Sequence, residues 1–207
     1  MMKLFTATAL WLLIGVATPL AAQTATSEPD DAEGRAIVTR YLLMDTQGNT
    51  VTDRDFAGSF QLIAFGYTYC PDICPTTLSE MSLLMKRLGE LSENLQPIFI
   101  TVDPERDTPA VLDRYTAFFH PRIIGLTGQP ALIRRVADNF KVRYEKHQEP
   151  GGDPLRYSVD HSAGMYLLGP DGHFAAKFAY ATPVSELTER VRTIMETTIT
   201  NAPLRTP

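Results

Sequence analysis

Two short, almost entirely apolar runs constrain the fold of this chain more than any other feature of its sequence. Residues 62–66 and 98–102 are short for a core helix and lack the polar alternation of a strand that has one face in water. Between them, apolar residues recur at helical spacing: Leu78, Met81, Leu84, Met85 and Leu88. The pattern predicts two strands buried on both faces and a helix that packs against them. Strands and helices alternating in this way predict an α/β class.

The remaining elements continue this alternation. Residues 37–44 are strand-like, and 45–49 form a turn before a short strand at Val51. Asp107, Thr108 and Pro109 combine a cap with a first-turn proline and open a helix that runs to about Phe119. The later elements are a strand at 123–126, a helix around 132–140, a hairpin of 165–168 with 174–178, and a helix from 183 to about 198. We therefore expect a thioredoxin-like fold with a mixed central sheet, flanking helices and an extra N-terminal strand or hairpin.

The first 22 residues have the layout of a secretory signal peptide. Lys3 precedes an apolar run, and small residues lead to an expected cleavage site near Ala22. Residues 4–22 could also span a bilayer as an uncleaved N-terminal anchor. Either case predicts a protein that works outside the cytoplasm, either in the periplasm or anchored in the inner membrane and facing it. Residues 23–35 are polar and acidic and predict a flexible tether, followed by a domain over 36–200 and a tail over 201–207.

Charge and cysteine content exclude several classes of protein. The formal net charge is −5 and no basic cluster occurs, which argues against a nucleic-acid partner. Two cysteines are too few for a disulfide-rich scaffold. They are also only four positions apart, so any chemistry that they carry is local.

The two cysteines lie where a buried strand is predicted to lead into a helix. Cys70 and Cys74 should point their sulfurs to the same side, and the helix N–H groups there favour thiolate over thiol. Such a pair can close a disulfide or bind one soft metal ion. A structural disulfide is the simpler interpretation for an exported protein, but a loop this small would contribute about 2 kcal/mol, and a core of this size does not need it.

His161 is the candidate for a third ligand. It precedes the strand at Met165, in a loop that should face the cysteine loop across the sheet. Two thiolates and one imidazole suit copper, and also zinc. A lone histidine is nonetheless more often a solvated or core residue. That interpretation is retained for His120 at a helix end, His147 in a polar loop and His173 in a hairpin turn.

Five segments in this order resemble the Sco/SenC family of copper chaperones for cytochrome c oxidase assembly. They are residues 66–75, which hold both cysteines, 101–108, 124–128, 159–161 and 166–172. The resemblance implies a thioredoxin-like fold and copper bound by Cys70, Cys74 and His161, as Cu(I) or Cu(II). It also implies delivery of the copper to the binuclear copper site of the oxidase.

The partners expected from this resemblance are the copper-site subunit of the oxidase and a periplasmic thioredoxin-like reductant or another copper chaperone. The protein itself would be near the membrane only through proximity to its partner or through an uncleaved leader. The alternative function is a thiol–disulfide oxidoreductase that reduces the oxidase cysteines before metallation, with Cys70 and Cys74 redox-active. A thiol peroxidase is excluded, because its pattern requires a threonine where Tyr67 stands and a proline where Ile63 stands.

Three further features have open roles at this stage. The segment 103–108 holds three carboxylates and Arg106, and we expect it to maintain the fold, with a role in partner docking left open. Asp72 and Asp160 are either tuning groups beside the site or turn residues. Tyr67 and Tyr69 are expected to shape its rim.

Overall fold

The protein is described by a computed structural model that covers residues 37–148, 151, 153 and 156–201. The predicted leader over 1–22, the tether over 23–35 and residues 202–207 of the tail lie outside the described residues. No helix in the described ranges is both long enough and apolar enough to cross a membrane.

Strands and helices alternate along the described chain, as the apolar pattern predicts. In chain order they are β1 (Leu42–Met44), β2 (Thr50–Thr52), β3 (Phe60–Gly66), α1 (Ile73–Leu88), β4 (Leu95–Thr101), α2 (Pro109–Phe119), β5 (Ile124–Leu126), α3 (Pro130–Asn139), β6 (Tyr144–Gln148), β7 (Tyr157–His161), β8 (Met165–Leu168), β9 (Phe174–Phe178) and α4 (Val184–Asn201). The predicted strand over 37–44 is wrong in length, since its extended hydrogen-bonded part is confined to β1.

The central sheet has five strands in the order β5-β4-β3-β8-β9. β3 pairs in parallel with β4, with Gly66 opposite Thr101, and β4 pairs in parallel with β5. β8 runs antiparallel to β3, and β9 runs antiparallel to β8. β1 and β2 form a separate N-terminal hairpin. The prediction of a mixed central sheet with an extra N-terminal hairpin is confirmed.

Both faces of the central sheet are covered, which explains why β3 is buried along its whole length. Successive side chains of a strand point to opposite faces. On one face, a Cβ at Gly66 would contact Cys74 of α1, and the neighbouring Phe99 ring packs against Tyr115 of α2. On the other face, Phe65 packs against Phe140, just after α3. The cysteine helix therefore lies directly on the end of β3.

Helix α2 begins where the sequence predicts, and for the expected reason. Thr108 is its N-cap and its hydroxyl accepts a hydrogen bond from the N–H of Val111, while Pro109 occupies the first turn. The segment that leads into it, 103–107, therefore has a fixed end directly beside the sheet.

β6 and β7 form a two-stranded antiparallel sheet that the sequence analysis missed. Tyr144 pairs with His161 and Gln148 with Tyr157. His161 is therefore the last residue of a strand, and His147 lies in a strand as well, so the loop predictions for both are wrong. β6 is largely exposed and polar, and its sequence lacks the apolar alternation that marks a half-buried strand.

Candidate metal centre

The cysteine loop leaves β3 at Gly66 and enters α1 at Ile73. Cys70 lies in the loop and is 9% exposed, whereas Cys74 lies in the first turn of the helix and is 1% exposed. Both are free thiols. The strand-to-helix junction predicted from the sequence therefore places both sulfurs in buried positions, with Cys70 the more accessible of the two.

His161 reaches the cysteines from the β6–β7 hairpin. Its Nε2 lies 3.4 Å from the Sγ of Cys74. The two sulfurs and the imidazole nitrogen all lie within 4.8 Å of one another, and two of the three residues are buried. The structure thus brings together the three residues that the sequence singled out, although they are up to 91 positions apart in the chain.

The second ring nitrogen of His161 fixes which nitrogen faces the sulfurs. Nδ1 lies 3.1 Å from the carbonyl oxygen of Ser162. A carbonyl oxygen only accepts hydrogen bonds, so Nδ1 carries the proton and Nε2 keeps its lone pair. Ser162 is itself held, because its N–H donates to the carbonyl of Arg143 and its hydroxyl accepts from the Arg143 N–H. The imidazole is therefore oriented as a ligand for a metal ion.

The two cysteine sulfurs differ in how readily they lose a proton. A hydrogen bond from Cys74 lowers the pKa of Cys70 to about 4, helped by the backbone N–H groups of Asp72 and Cys74. The pKa of Cys74 is raised, first because of its hydrogen bond with Cys70 and second because of burial. At neutral pH the site therefore holds a Cys70 thiolate beside a Cys74 thiol. A metal ion that binds both sulfurs displaces the remaining proton.

Tyr67 forms a wall of the site and contacts both of its halves, since its carbonyl accepts a hydrogen bond from the Cys70 N–H. Its ring packs edge-on against the imidazole of His161, with 6.0 Å between ring centroids. Its hydroxyl accepts a hydrogen bond from the N–H of Val159 in β7. Burial raises the pKa of this hydroxyl, so it stays protonated. Tyr69, by contrast, is exposed and lies at the outer rim.

The acidic neighbours of the ligands contribute less than the sequence suggested. Asp160 is exposed and pairs with His147 at 3.1 Å, on the solvent side of the hairpin. The side chain of Asp72 makes no cap hydrogen bond at the start of α1 and is exposed. Of the two, Asp72 affects the site through its backbone N–H to Cys70.

The sequence analysis expected the segment 103–108 to maintain the fold but missed that it supports the ligands. Asp107 is buried, accepts hydrogen bonds from Thr68 and Thr101, and has its pKa raised by burial. Asp103 and Arg106 form an ion pair that contacts Tyr157 at the start of β7. Three carboxylates within five positions were visible in the sequence, but nothing in it indicated that Tyr157 is the partner of Asp103.

The donor set determines what the site can hold. Two thiolates and one imidazole are soft to borderline ligands, which suits Cu(I) and also zinc. Among the described residues, no second group of three His, Cys or acidic side chains converges in this way. His120 and His173 lie apart from the cluster, at the end of α2 and between β8 and β9.

Comparison with known proteins agrees with this geometry. The family model described as SCO1/SenC matches residues 29–196. The SCO2-like protein of Rickettsia felis is 38% identical over 184 residues, covering 87% of both chains. The crystal structure of Arabidopsis thaliana ScoI with copper bound has 37% identity and a TM-score of 0.73, covering 78% of this chain and 99% of ScoI.

A further structure carries a redox description. BsSco, in which a disulfide switch was identified and which is described as a member of the Sco family of cytochrome c oxidase assembly proteins, is 26% identical. It has a TM-score of 0.56, covering 76% of this chain and 92% of BsSco. These likenesses confirm the predicted thioredoxin-like fold and the predicted resemblance. The chain belongs to the SCO1/SenC family.

Proposed function

We propose that this protein is a copper metallochaperone that carries one Cu(I) ion on Cys70, Cys74 and His161. The observation that carries the proposal is the convergence of the three donor atoms within 4.8 Å. Support comes from copper bound in the related ScoI of Arabidopsis thaliana. Copper here is the cargo of the protein.

The geometry suits an ion that must be held and then released. Two sulfurs and one nitrogen leave one side of a Cu(I) ion open, and Cys70 is the more accessible sulfur. A recipient thiolate can enter on that side and replace the ligands one at a time. No net redox change accompanies such a transfer, since the copper keeps its charge and each thiolate that leaves is replaced by another.

The proposed recipient is the binuclear copper site of cytochrome c oxidase, on its copper-site subunit. The description of BsSco as belonging to a family of oxidase assembly proteins supports this assignment. The proposed compartment is the periplasm, reached through the leader over residues 1–22, which is either cleaved or kept as an inner-membrane anchor. A thioredoxin-like reductant or another copper chaperone would keep the cysteines reduced or load them.

A thiol–disulfide reductase that prepares the recipient cysteines is the second candidate. The observation in its favour is the unequal ionisation of the pair, since a thiolate at Cys70 with a thiol at Cys74 is the arrangement that thiol–disulfide exchange needs. The disulfide switch named for BsSco supports it as well. In this function His161 would have no role as a metal ligand.

The experiment that tests the proposal is an anaerobic titration of residues 23–207 with Cu(I), with the bound metal counted by native mass spectrometry. The reduced protein is expected to bind one Cu(I) per chain and the oxidised protein essentially none. Tight binding by the disulfide form would contradict the proposal, because it would remove both thiolates from the site.

Substitution of the imidazole separates the two functions. His161→Ala should lose most of the copper retention and leave Cys70 and Cys74 able to cycle with a small thiol. His173→Ala is the matched control, because His173 is exposed in the β8–β9 turn. If His161→Ala retained copper as the parent does and lost only reductase activity, the reductase would replace the chaperone as the conclusion.

A further inference from the structure

We propose that Asp103, Arg106 and Asp107, within the segment 103–107, form a two-sided clamp that sets the position of His161 relative to the two cysteines. Asp107 holds the cysteine loop, and Asp103 with Arg106 holds the hairpin that carries His161. Asp103, Arg106 and Tyr157 are thus positioning residues for the metal centre. The inference rests on the proposed copper-carrying function of that centre.

The cysteine side of the clamp is the carboxylate of Asp107. Its Oδ1 accepts from the Thr68 hydroxyl at 2.6 Å, and the Thr68 N–H reaches both carboxylate oxygens at 3.2 and 3.1 Å. Oδ2 also accepts from the hydroxyl of Thr101 at 2.5 Å, at the end of β4. Thr68 lies two residues before Cys70. Asp107 therefore ties the start of the cysteine loop to the central sheet.

The histidine side of the clamp is the ion pair of Asp103 and Arg106. Asp103 is fully buried, and its Oδ2 accepts from Arg106 Nε at 2.5 Å. Its Oδ1 accepts from the hydroxyl of Tyr157 at 2.7 Å. Arg106 Nη1 donates to the carbonyl of Tyr157 at 2.9 Å, and the guanidinium lies 3.5 Å from the centre of the Tyr157 ring. One residue of the hairpin is thus held through its backbone, its hydroxyl and its ring.

The hairpin needs such an anchor because, among the described residues, its two strands pair only with each other. The β6–β7 ladder is a separate two-stranded sheet, and no strand of the central sheet pairs with it among the described residues. Isolated two-stranded sheets are marginal in water. Tyr157 begins β7 and His161 ends it, so an anchor at Tyr157 fixes the strand four residues from the imidazole. The hydrogen bond from Val159 to Tyr67 provides a second point between them.

The chemistry of the contacts distinguishes the clamp from ordinary surface pairing. The Asp103–Arg106 pair is charge-assisted and shielded from water, and the planar guanidinium donates in two directions while it stacks on a ring. A lysine cannot reproduce that geometry. On the same hairpin, Lys146 pairs with Glu105 at 2.7 Å, but both side chains are exposed. Exposed ion pairs contribute little, so this pair offers a matched control.

The test measures Cu(I) affinity by competition with a chromophoric Cu(I) chelator. Tyr157→Phe removes the hydroxyl and keeps the ring. Arg106→Lys keeps the positive charge and removes the planar guanidinium group. Each variant is expected to weaken Cu(I) binding about tenfold, which is the lower end of the affinity loss seen when a group that orients a metal ligand is removed. Glu105→Gln should stay within about twofold of the parent. Parental affinity in both Tyr157→Phe and Arg106→Lys would overturn the clamp.

A double-mutant cycle tests whether the effect passes through the imidazole. In a His161→Ala background, Tyr157→Phe should cost no further affinity, because the residue that it positions is gone. A merely structural role would lower affinity equally in both backgrounds. An additive result would therefore overturn the clamp.

A second measurement uses the metal-free protein and does not depend on copper. Amide hydrogen exchange at Val159, whose N–H donates to the Tyr67 hydroxyl, should be about tenfold faster in Tyr157→Phe, while amides of β3 keep their parental rates. Unchanged exchange in β7 would overturn the clamp. A parent protein that binds no Cu(I) would instead overturn the proposed function, and the exchange result would still decide whether the segment 103–107 anchors the hairpin.

Discussion

A single methyl group added at Gly66 should damage the metal centre from within the core. A Cβ built on Gly66 lies 2.5 Å from the Sγ of Cys74 and 2.9 and 3.0 Å from two atoms of the Phe99 ring. Non-bonded heavy atoms are at their best separation near 3.5–4.0 Å, so the sulfur must retreat by about 1 Å. Cys74 and Phe99 are both buried in a close-packed interior that offers no free space.

The expected cost of Gly66→Ala is about 1–3 kcal/mol in the free energy of unfolding, the usual range for overpacking a core. In a domain of this size, 1 kcal/mol corresponds to roughly 2–4 °C in Tm. Because the displaced atom is a ligand, Cu(I) affinity should also fall at least about tenfold, as when a group that orients a ligand is lost. Urea unfolding of the reduced apoprotein and chelator competition measure the two effects separately.

Gly125 provides the matched control for this experiment. A Cβ there would lie 2.7 Å from Leu112 Cγ, at a contact between β5 and α2 that does not include a cysteine. Gly125→Ala should therefore lower stability by a similar amount and leave Cu(I) affinity unchanged. If both variants lost affinity in proportion to stability, the loss would reflect general destabilisation, and the reasoning from the Gly66–Cys74 contact would be refuted.

Three further outcomes follow from the described contacts. The alkylation rate of Cys70 should be nearly constant between pH 6 and 8, because a thiol with a pKa of about 4 is already ionised there. The rate of an ordinary thiol falls about tenfold for each pH unit below its pKa. A steep rise over this range in stopped-flow iodoacetamide kinetics would contradict the assignment. Thr108→Ala should destabilise the protein by about 1 kcal/mol through loss of the α2 cap, with Thr108→Ser retaining most of that stability in urea unfolding. Phe178→Ala, which removes a fully buried ring from β9, should cost about 3–5 kcal/mol by the same measurement and leave the stoichiometry of one Cu(I) per chain intact.

The apolar pattern was sufficient to predict the central sheet and its helices. Strands buried on both faces, such as β3 and β4, are marked by continuous apolar runs, and α1 by its helical period. The cap at Thr108 was equally readable, because capping depends on residues adjacent in sequence. These features are local, so one sequence is enough to predict them.

The support of the site could not be predicted in the same way. The β6–β7 hairpin is stabilised by contacts of single residues with distant ones, such as Tyr157 with Asp103, 54 positions away. Its exposed, polar strand β6 gives no periodic signal. The cysteines were recognisable by their spacing at a strand-to-helix junction. His161 was recognisable from its position before β8 and from the family resemblance.

The placement of the ligands on two different substructures has a consequence for how such a protein can diversify. Both sulfurs belong to the strand–loop–helix unit of the core, and Cys74 is buried against the end of β3, so exchanging Cys74 disturbs the packing there. The imidazole belongs to the β6–β7 hairpin, which pairs with no strand of the central sheet among the described residues. Residue 161 can therefore be varied at small cost in folding. Metal preference and exchange rate can drift in descendants of this chain while the scaffold stays the same.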